Sequence, residues 1–268
     1  MSQSAGKQGQ LAAAWNDLAG GVGEYWIWGS LAVRDVLTRH QGSYLGPFWI
    51  TLSTAVMVAA LTIIFSGAFR VGVSSYVPYL AIGMVLWQFL SGMVLESCTT
   101  FLSADMIGLV PMRRSIHVYR LVSRNLMIAC YNAIALVVLL AWFDVPVTAR
   151  LLELFPALLL YALNGIWLSV ILGMLCVRFR DASPIVASIL QVGFFVTPVF
   201  WPIETVGKWR HLAELNPFFA AIDIVRSPLL NAATAPTSWT IMIAVTAAGS
   251  AAGFFALAAW RNQIVYWV

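Results

Sequence analysis

The chain has 268 residues, 61% of them hydrophobic and 10% charged, with a mean hydropathy of +0.85 and a formal net charge of +4. A soluble domain carries about 25% charged residues, and 15 basic with 11 acidic side chains are too few to clothe a water-exposed surface of this size. That excludes a soluble enzyme and points to an all-α integral membrane protein, because lipid demands no polar cover.

Residues 1–40 form an N-terminal segment ahead of the first long apolar run. Met1–Gln10 is polar, so no cleavable signal is visible. Within Glu24–His40, Trp26, Val33, Val36, Leu37 and His40 recur at helical spacing, with Arg34, Asp35, Thr38 and Arg39 turned away. With Tyr25 and Trp28 at one end, this pattern fits an amphipathic helix in the membrane interface. The alternative is a helix packed on protein.

Residues 41–268 form the transmembrane domain. Six windows free of formal charge follow one another: Gln41–Phe69, Val71–Leu95, Asn125–Phe143, Leu154–Val177, Ala182–Ile203 and Ser227–Trp260. About 20 apolar residues cross a bilayer, and a charge at mid-helix costs about 2.5–3.5 kcal/mol on insertion scales. The windows therefore predict six transmembrane helices, near 48–69, 76–96, 125–143, 154–177, 184–203 and 238–260. The period-two alternation of a barrel is absent.

The connections carry the orientation. With both termini cytoplasmic, Lys7, Arg34, Arg39, Arg113, Arg114, Arg120, Arg124, Arg178, Arg180 and Arg261 lie inside, and Arg70, Arg150, Lys208, Arg210 and Arg226 outside. The excess of inside charges fits the positive-inside rule and leaves the net charge with no need of nucleic acid as a partner. The longest inside loop contains a short apolar run (Met106, Ile107, Leu109, Val110, Met112) broken by Pro111, whose apolar face needs a partner protein or the bilayer to cover it. The loop at Arg178–Asp181 is short, and Ser183-Pro184 reads as the next helix start. Outside, the stretch near 203–235 begins polar, then resumes at Asn216-Pro217 as an N-cap and N1 pair, with Phe218, Phe219, Ile222, Val225 and Leu229 on one face. It predicts a re-entrant helix pair before the last span.

Catalytic chemistry is not visible. There is no Walker A motif and no H-E-x-x-H; His40, His117 and His211 are solitary, and Cys98, Cys130 and Cys176 are too dispersed for a ligand set. No catalytic residue and no metal or other cofactor held by the chain is expected. The mid-span polar residues Gln88, Asn132, Asn164 and Gln191 either bond across helices or line a polar path. Aromatic residues abound: 12 Trp, 15 Phe and 8 Tyr. Phe48, Trp49, Trp87, Phe89, Phe194, Phe195, Phe200 and Trp201 sit in or at the ends of spans one, two and five. They either pack against helices and lipid or offer flat faces along a channel on which sugar rings slide.

The segment Arg39-His40-Gln41-Gly42-Ser43-Tyr44-Leu45-Gly46-Pro47-Phe48-Trp49 resembles the entry into span one of permease subunits of type-2 ABC exporters for polysaccharides, which show R-Y-x-x-S-x-L-G-x-x-W. Arg39, Leu45, Gly46 and Trp49 match; His40 replaces the aromatic, and the serine is displaced to Ser43. Phe179-Arg180-Asp181 is similar to the F-R-D turn of that family, and Asn216-Pro217 with Arg226 to its N-P segment. The likeness runs from about Tyr25 to Trp260, with members named for O-antigen, capsule and teichoic acid export.

The resemblance implies a permease of the bacterial inner membrane, a homodimer working with two copies of a separate ABC ATPase that binds the ATP and Mg. It implies a coupling region near 105–117, with Leu109, Val110, Met112, Arg113 and Arg114, and a second contact at Arg178, Arg180 and Asp181. Spans one and five would line the channel. The cargo would be a glycan on a lipid diphosphate, for which Arg34, Arg39, Arg113 and Arg114 are headgroup candidates; the same arginines equally serve as anchors to anionic membrane lipids. Export of small hydrophobic compounds by the same architecture is the alternative function. A transferase acting on lipid-linked sugars would need acidic residues beyond Glu96, Asp105 and Asp181.

Overall fold

The structure, a computed structural model, describes residues 2–39, 48–69, 72–102, 112–261 and 263–267. Its elements, among the described residues, are helical: α1 (Ser2–Gly23), α2 (Tyr25–Arg39), α3 (Phe48–Phe69), α4 (Val73–Ser97), α5 (Arg114–Trp142), α6 (Leu154–Arg178), α7 (Ala182–Val196), α8 (Arg210–Glu214), α9 (Pro217–Leu229), α10 (Pro236–Trp260) and α11 (Ile264–Trp267). Three-ten turns at Ala149–Glu153 and Ile203–Trp209 precede α6 and α8. Among the described residues, four segments are long and apolar enough to cross a membrane: Val73–Ser97, Arg114–Trp142, Ala149–Arg178 and Pro236–Trp260. Two shorter apolar stretches, Thr51–Gly67 and Ala182–Val196, fall where spans one and five were expected.

Local chemistry explains the starts of two helices. Asn216 caps α9, its side chain accepting from the Phe218 N–H at 2.9 Å with Pro217 at N1. Pro236 likewise opens α10. Some limits differ from the sequence reading. The start of α7 is capped at Asp181, so Ser183 lies inside the helix. The helix stops at Val196 before Thr197-Pro198, short of the expected end near 203, because Pro198 disfavours a helical residue before it. The third apolar helix begins at Arg114 rather than near 125, since the basic first turns extend the same helix. The N-terminal segment also holds a helix the sequence reading missed, α1, which packs on α5 and α10.

The core gathers around α4 and α6. Side chains of α4, α5, α6, α9 and α10 form one buried cluster that includes Tyr76, Leu80, Ile82, Tyr161, Ile222 and Met242. A second cluster joins α1, α5, α6, α10 and α11 through Ala14, Val118, Met174, Leu257 and Ile264. The α6–α10 crossing is close because Gly249 and Gly253 of α10 lie against Trp167, where a Cβ at Gly249 would collide with the indole. Polar pairs tie the apolar helices: Asn164 Nδ2 donates to Thr246 Oγ1 at 2.6 Å, Thr51 to Asn132 Oδ1 at 2.8 Å, and Thr54 to Gln88 Oε1 at 2.9 Å. Three of the four mid-span polar residues thus bond across helices, whereas Gln191 is exposed. By contrast α3 and α7 sit at the margin, with Trp49, Val56, Ile63, Ile189, Val192 and Phe195 exposed.

Candidate functional site

One end of the bundle collects the basic residues. Here α1, α2, the last turn of α4 and the first turns of α5 meet. Asp35 of α2 takes a two-pronged ion pair from Arg120, at 2.7 Å to Nε and 2.5 Å to Nη2, and a longer contact from Arg124 at 3.4 Å. Glu96 at the end of α4 accepts from Arg39 at 2.5 Å, Arg124 at 2.7 Å and Asn125 at 2.6 Å. The spacing of Arg120 and Arg124 puts both on one face of α5, so a single helix row grips α2 and α4 together. Paired guanidinium–carboxylate forks of this kind fix geometry as well as contributing energy.

The network sets which side of α2 meets the bundle. Ala32 and Val36 are buried and Asp35 faces α5, while Tyr25, Trp26, Val33 and Leu37 are left exposed. The helix therefore packs on protein through Ala32 and Val36 together with Asp35 and Arg39, and presents Trp26, Val33 and Leu37 outward. His40 lies outside the described residues, as do Ser43, Leu45 and Gly46.

Among the expected ATPase contacts, Leu109 and Val110 lie outside the described residues. Met112 is half-buried, and Arg113 donates to Glu24 at 2.9 Å and to the Asn16 carbonyl. The region expected to end as a separate coupling segment near 117 instead continues as α5, with Ser115, Ile116 and His117 buried in its first turn. That turn is held by α1: the Asp17 carboxylate accepts from the Ser115 hydroxyl at 2.9 Å and the Ser115 N–H at 3.3 Å, placing negative charge at a helix N-terminus. Arg114 is half-buried in the electrostatic reach of Asp17 and Arg261. Arg178 stacks over Phe179 and Trp267 at 5.3 and 5.1 Å. Arg34, Arg180 and Asp181 are exposed and make no ion pair among the described residues. Of the four headgroup candidates, Arg39 and Arg113 are thus committed to carboxylates, and Arg34 stands apart from them.

The expected channel aromatics divide. Trp87 is only 8% exposed and packs against Phe194 at 5.6 Å and Phe218 at 5.5 Å. Phe89 packs on Tyr161 at 5.4 Å. Both make packing contacts within this chain, the inner face of α4 turning them towards α6, α7 and α9. Phe194 and Phe200 stack at 5.5 Å, and Phe200 meets Phe65 at 5.6 Å. Trp49 and Phe195 remain exposed, each 62%. Trp201 is half-buried, its indole donating to the Phe195 carbonyl at 3.2 Å. The Phe48 side chain lies outside the described residues.

At the opposite end the chain leaves α7 through an irregular turn, and buried polar groups close on it. Tyr76 donates to the Phe200 carbonyl at 2.6 Å, Tyr79 to the Trp201 carbonyl at 3.0 Å, and Asn216 to Thr197 Oγ1 at 2.9 Å. Arg226 of α9, 4% exposed, donates to the Pro198 and Val199 carbonyls at 2.8 and 3.3 Å and lies 4.1 Å over the Tyr79 ring. Gly83 leaves room for its guanidinium. The α9 helix is buried nearly all round, by Phe219, Ala220, Ile222, Ile224, Val225 and Arg226, rather than on one apolar face. On the exposed α8, Glu214 bonds to Arg210 at 2.7 Å and raises its pKa above the ordinary guanidinium value.

Sequence reasoning missed the partners that organise the basic end: Asp35, Glu96, Arg120, Arg124 and Asn125. The signal was available in the acid at 35 within a basic helix and the arginine pair four residues apart. No cluster of three metal-capable side chains occurs among the described residues.

These features form a membrane bundle with an ion-paired basic end and an irregular turn clamped by a buried arginine. The protein family described as ABC-2 type transporter matches residues 28–230. The O-antigen export system permease protein RfbA of Myxococcus xanthus is 26% identical over 183 residues, 66% of this chain and 68% of that protein. Its namesake in Klebsiella pneumoniae is 21% identical over 201 residues, 74% of this chain and 78% of that protein. The match spans most of the bundle, from the first turn of α2 to the end of α9, and the chain belongs to the ABC-2 type transporter family: it is an integral membrane component of a transporter whose ATPase is expected on a separate subunit.

Proposed function

We propose that the chain is the permease of an exporter carrying an O-antigen-type polysaccharide, bound to a lipid, from the cytoplasmic to the outer leaflet of the bacterial inner membrane. The observation that carries this reading is the similarity to two permeases named for O-antigen export over 66% and 74% of the chain. Neither relative is named for small-compound export, so that alternative has nothing in its favour.

On this reading six helices cross the membrane, α3 and α7 joining the four longer ones, with both termini cytoplasmic. The clustering of α1, α2, Arg113, Arg178 and Arg261 at one end supports that orientation. The α8–α9 pair dips into the outer leaflet; its short length and all-round burial favour packing on protein. Two copies assemble with two ATPase subunits, which hold ATP and Mg, and the exposed faces of α3 and α7 meet across a channel lined by Trp49 and Phe195. Leu109, Val110 and Met112 dock into the ATPase, with Arg178, Arg180 and Asp181 as a second contact. ATP-driven closure of the partner tilts α5 through Ser115 and α1, and the α3–α7 pair opens.

The test is profiling of lipid-linked glycan by leaflet after depletion of the protein. Accumulation on the cytoplasmic leaflet is the expected result; an unchanged glycan profile rejects the reading. Replacing Leu109 and Met112 together by Asp is expected to abolish co-purification of a coupled ATPase while the chain still inserts.

A further inference from the structure

The end of α4 and the first turns of α5 enclose a small polar pocket of about 50 Å³ beside the ion-pair network. Its walls are Thr99, Thr100, His117, Arg120, Leu121 and Arg124. Asp35 and Glu96 hold the two guanidiniums without lining the space themselves. Among the described residues, the guanidiniums of Arg39, Arg120 and Arg124 pair with two carboxylates, Asp35 and Glu96, three positive charges against two negative.

Donors remain uncommitted at the same place. Arg120 gives Nε and Nη2 to Asp35, leaving Nη1. Arg124 gives both Nη atoms to carboxylates, and its buried Nε has no acceptor. The His117 ring is buried and makes no hydrogen bond among the described residues. The Thr99 and Thr100 hydroxyls donate to the Glu96 and Ser97 carbonyls and can rotate towards a stronger acceptor. A buried donor without an acceptor costs about 1–3 kcal/mol, so a ligand that brings acceptor oxygens gains what the empty pocket forgoes.

We infer that this pocket binds a phosphoryl oxyanion, the phosphate of a lipid headgroup or a free phosphate. A cation is excluded by walls that hold two arginines and no carboxylate. One tetrahedral anion fits this space, which is several times the roughly 10–15 Å³ needed to hold a single water. Guanidinium pairs present planar donors suited to phosphate oxygens. The pocket differs from the headgroup hosts expected from the sequence: Arg39 only supports it through Glu96, and Arg34, Arg113 and Arg114 do not line it. Its lipid arm rests on the exporter reading; its free-phosphate arm does not.

The experiment uses the full chain in phosphatidylcholine nanodiscs. Binding of radiolabelled inorganic phosphate is measured by equilibrium dialysis, and retention of phosphatidic acid, doped into the same nanodiscs, by native mass spectrometry. We expect saturable binding of one phosphoryl group per chain. Arg124→Gln should weaken it about tenfold, the loss of one charge-assisted hydrogen bond. His117→Phe and Thr100→Val, which leave the pairs with Asp35 and Glu96 intact, should each weaken it about threefold. Arg150→Gln, at the other end of the bundle, should leave it unchanged. Saturable phosphatidic acid alone assigns a lipid headgroup, phosphate alone a free anion, and both the shared chemistry. Absence of saturable binding overturns the inference. So does a loss in Arg124→Gln with wild-type affinity in both His117→Phe and Thr100→Val, since that would report only the lock between α2, α4 and α5. Because binding is read on purified protein, it stands or fails separately from glycan export in cells.

Discussion

The two ends of the bundle handle buried charge in opposite ways. At the basic end, three arginines share two carboxylates in a half-exposed network that joins three helices. At the other, a single guanidinium, Arg226, is sealed among carbonyls and a tyrosine ring with no carboxylate in ion-pair contact. The first arrangement can exchange partners, because each charge has an alternative and water lies near. The second cannot, because nothing nearby replaces what the guanidinium gives to the Pro198 and Val199 carbonyls. A transporter needs both kinds of joint: one that yields and one that holds its irregular backbone in place.

This contrast can be broken by substitution, beginning at the sealed end. Arg226→Ala should cost about 3 kcal/mol, because it strips two charge-assisted hydrogen bonds from buried carbonyls; thermal unfolding in detergent reads it, and an unchanged midpoint would remove the distinction between the ends. Gly249→Val, which drives a branched side chain into Trp167, should destabilise by about 2 kcal/mol in the same assay. At the yielding end, Asp35→Asn should lower stability by only about 1 kcal/mol, with a salt dependence that Arg226→Ala lacks. It should release α2 first, seen as faster proteolysis near Arg39. Glu24→Gln, which breaks the half-exposed pair with Arg113, should change stability by no more than about 0.5 kcal/mol. A large effect there would mean that the basic end is as rigid as the sealed one.

The membrane class and most helix positions were legible because apolar length has a direct physical reading: nearly every charge-free window holds one helix. The Asn216-Pro217 start of α9 was legible for the same kind of reason, a side-chain cap followed by a residue that needs no N–H donor. What stayed hidden was tertiary. The pairing of Asp35 with Arg120 joins residues 85 positions apart, and periodicity reports only the faces of a helix, not what each face meets. So the apolar row of α2 was visible, while the partners of Asp35 and Arg39 on its other side were not. The packing partners of Trp87 and Phe89 were hidden likewise, since an aromatic residue in a span looks the same towards a lumen, lipid or a neighbouring helix. In α1, repeated alanine and glycine gave no strong apolar stripe, yet small side chains are what allow its close approach to α5.

The seating of Trp167 on Gly249 and Gly253 also fixes how the bundle can move. A slip of α10 along α6 by one helical turn, about 5.4 Å, would bring Val245 or Leu257 into one of the two glycine places. Val245 would meet the indole and Leu257 the Cβ and backbone of Trp167, so sliding is blocked in both directions and the two helices keep a single register. Their pairing behaves as a keyed shaft: the pair can tilt as one body but cannot telescope. Displacement between the two faces of the membrane is then left to helices without such a key, among them α3 and α7, which carry exposed apolar faces.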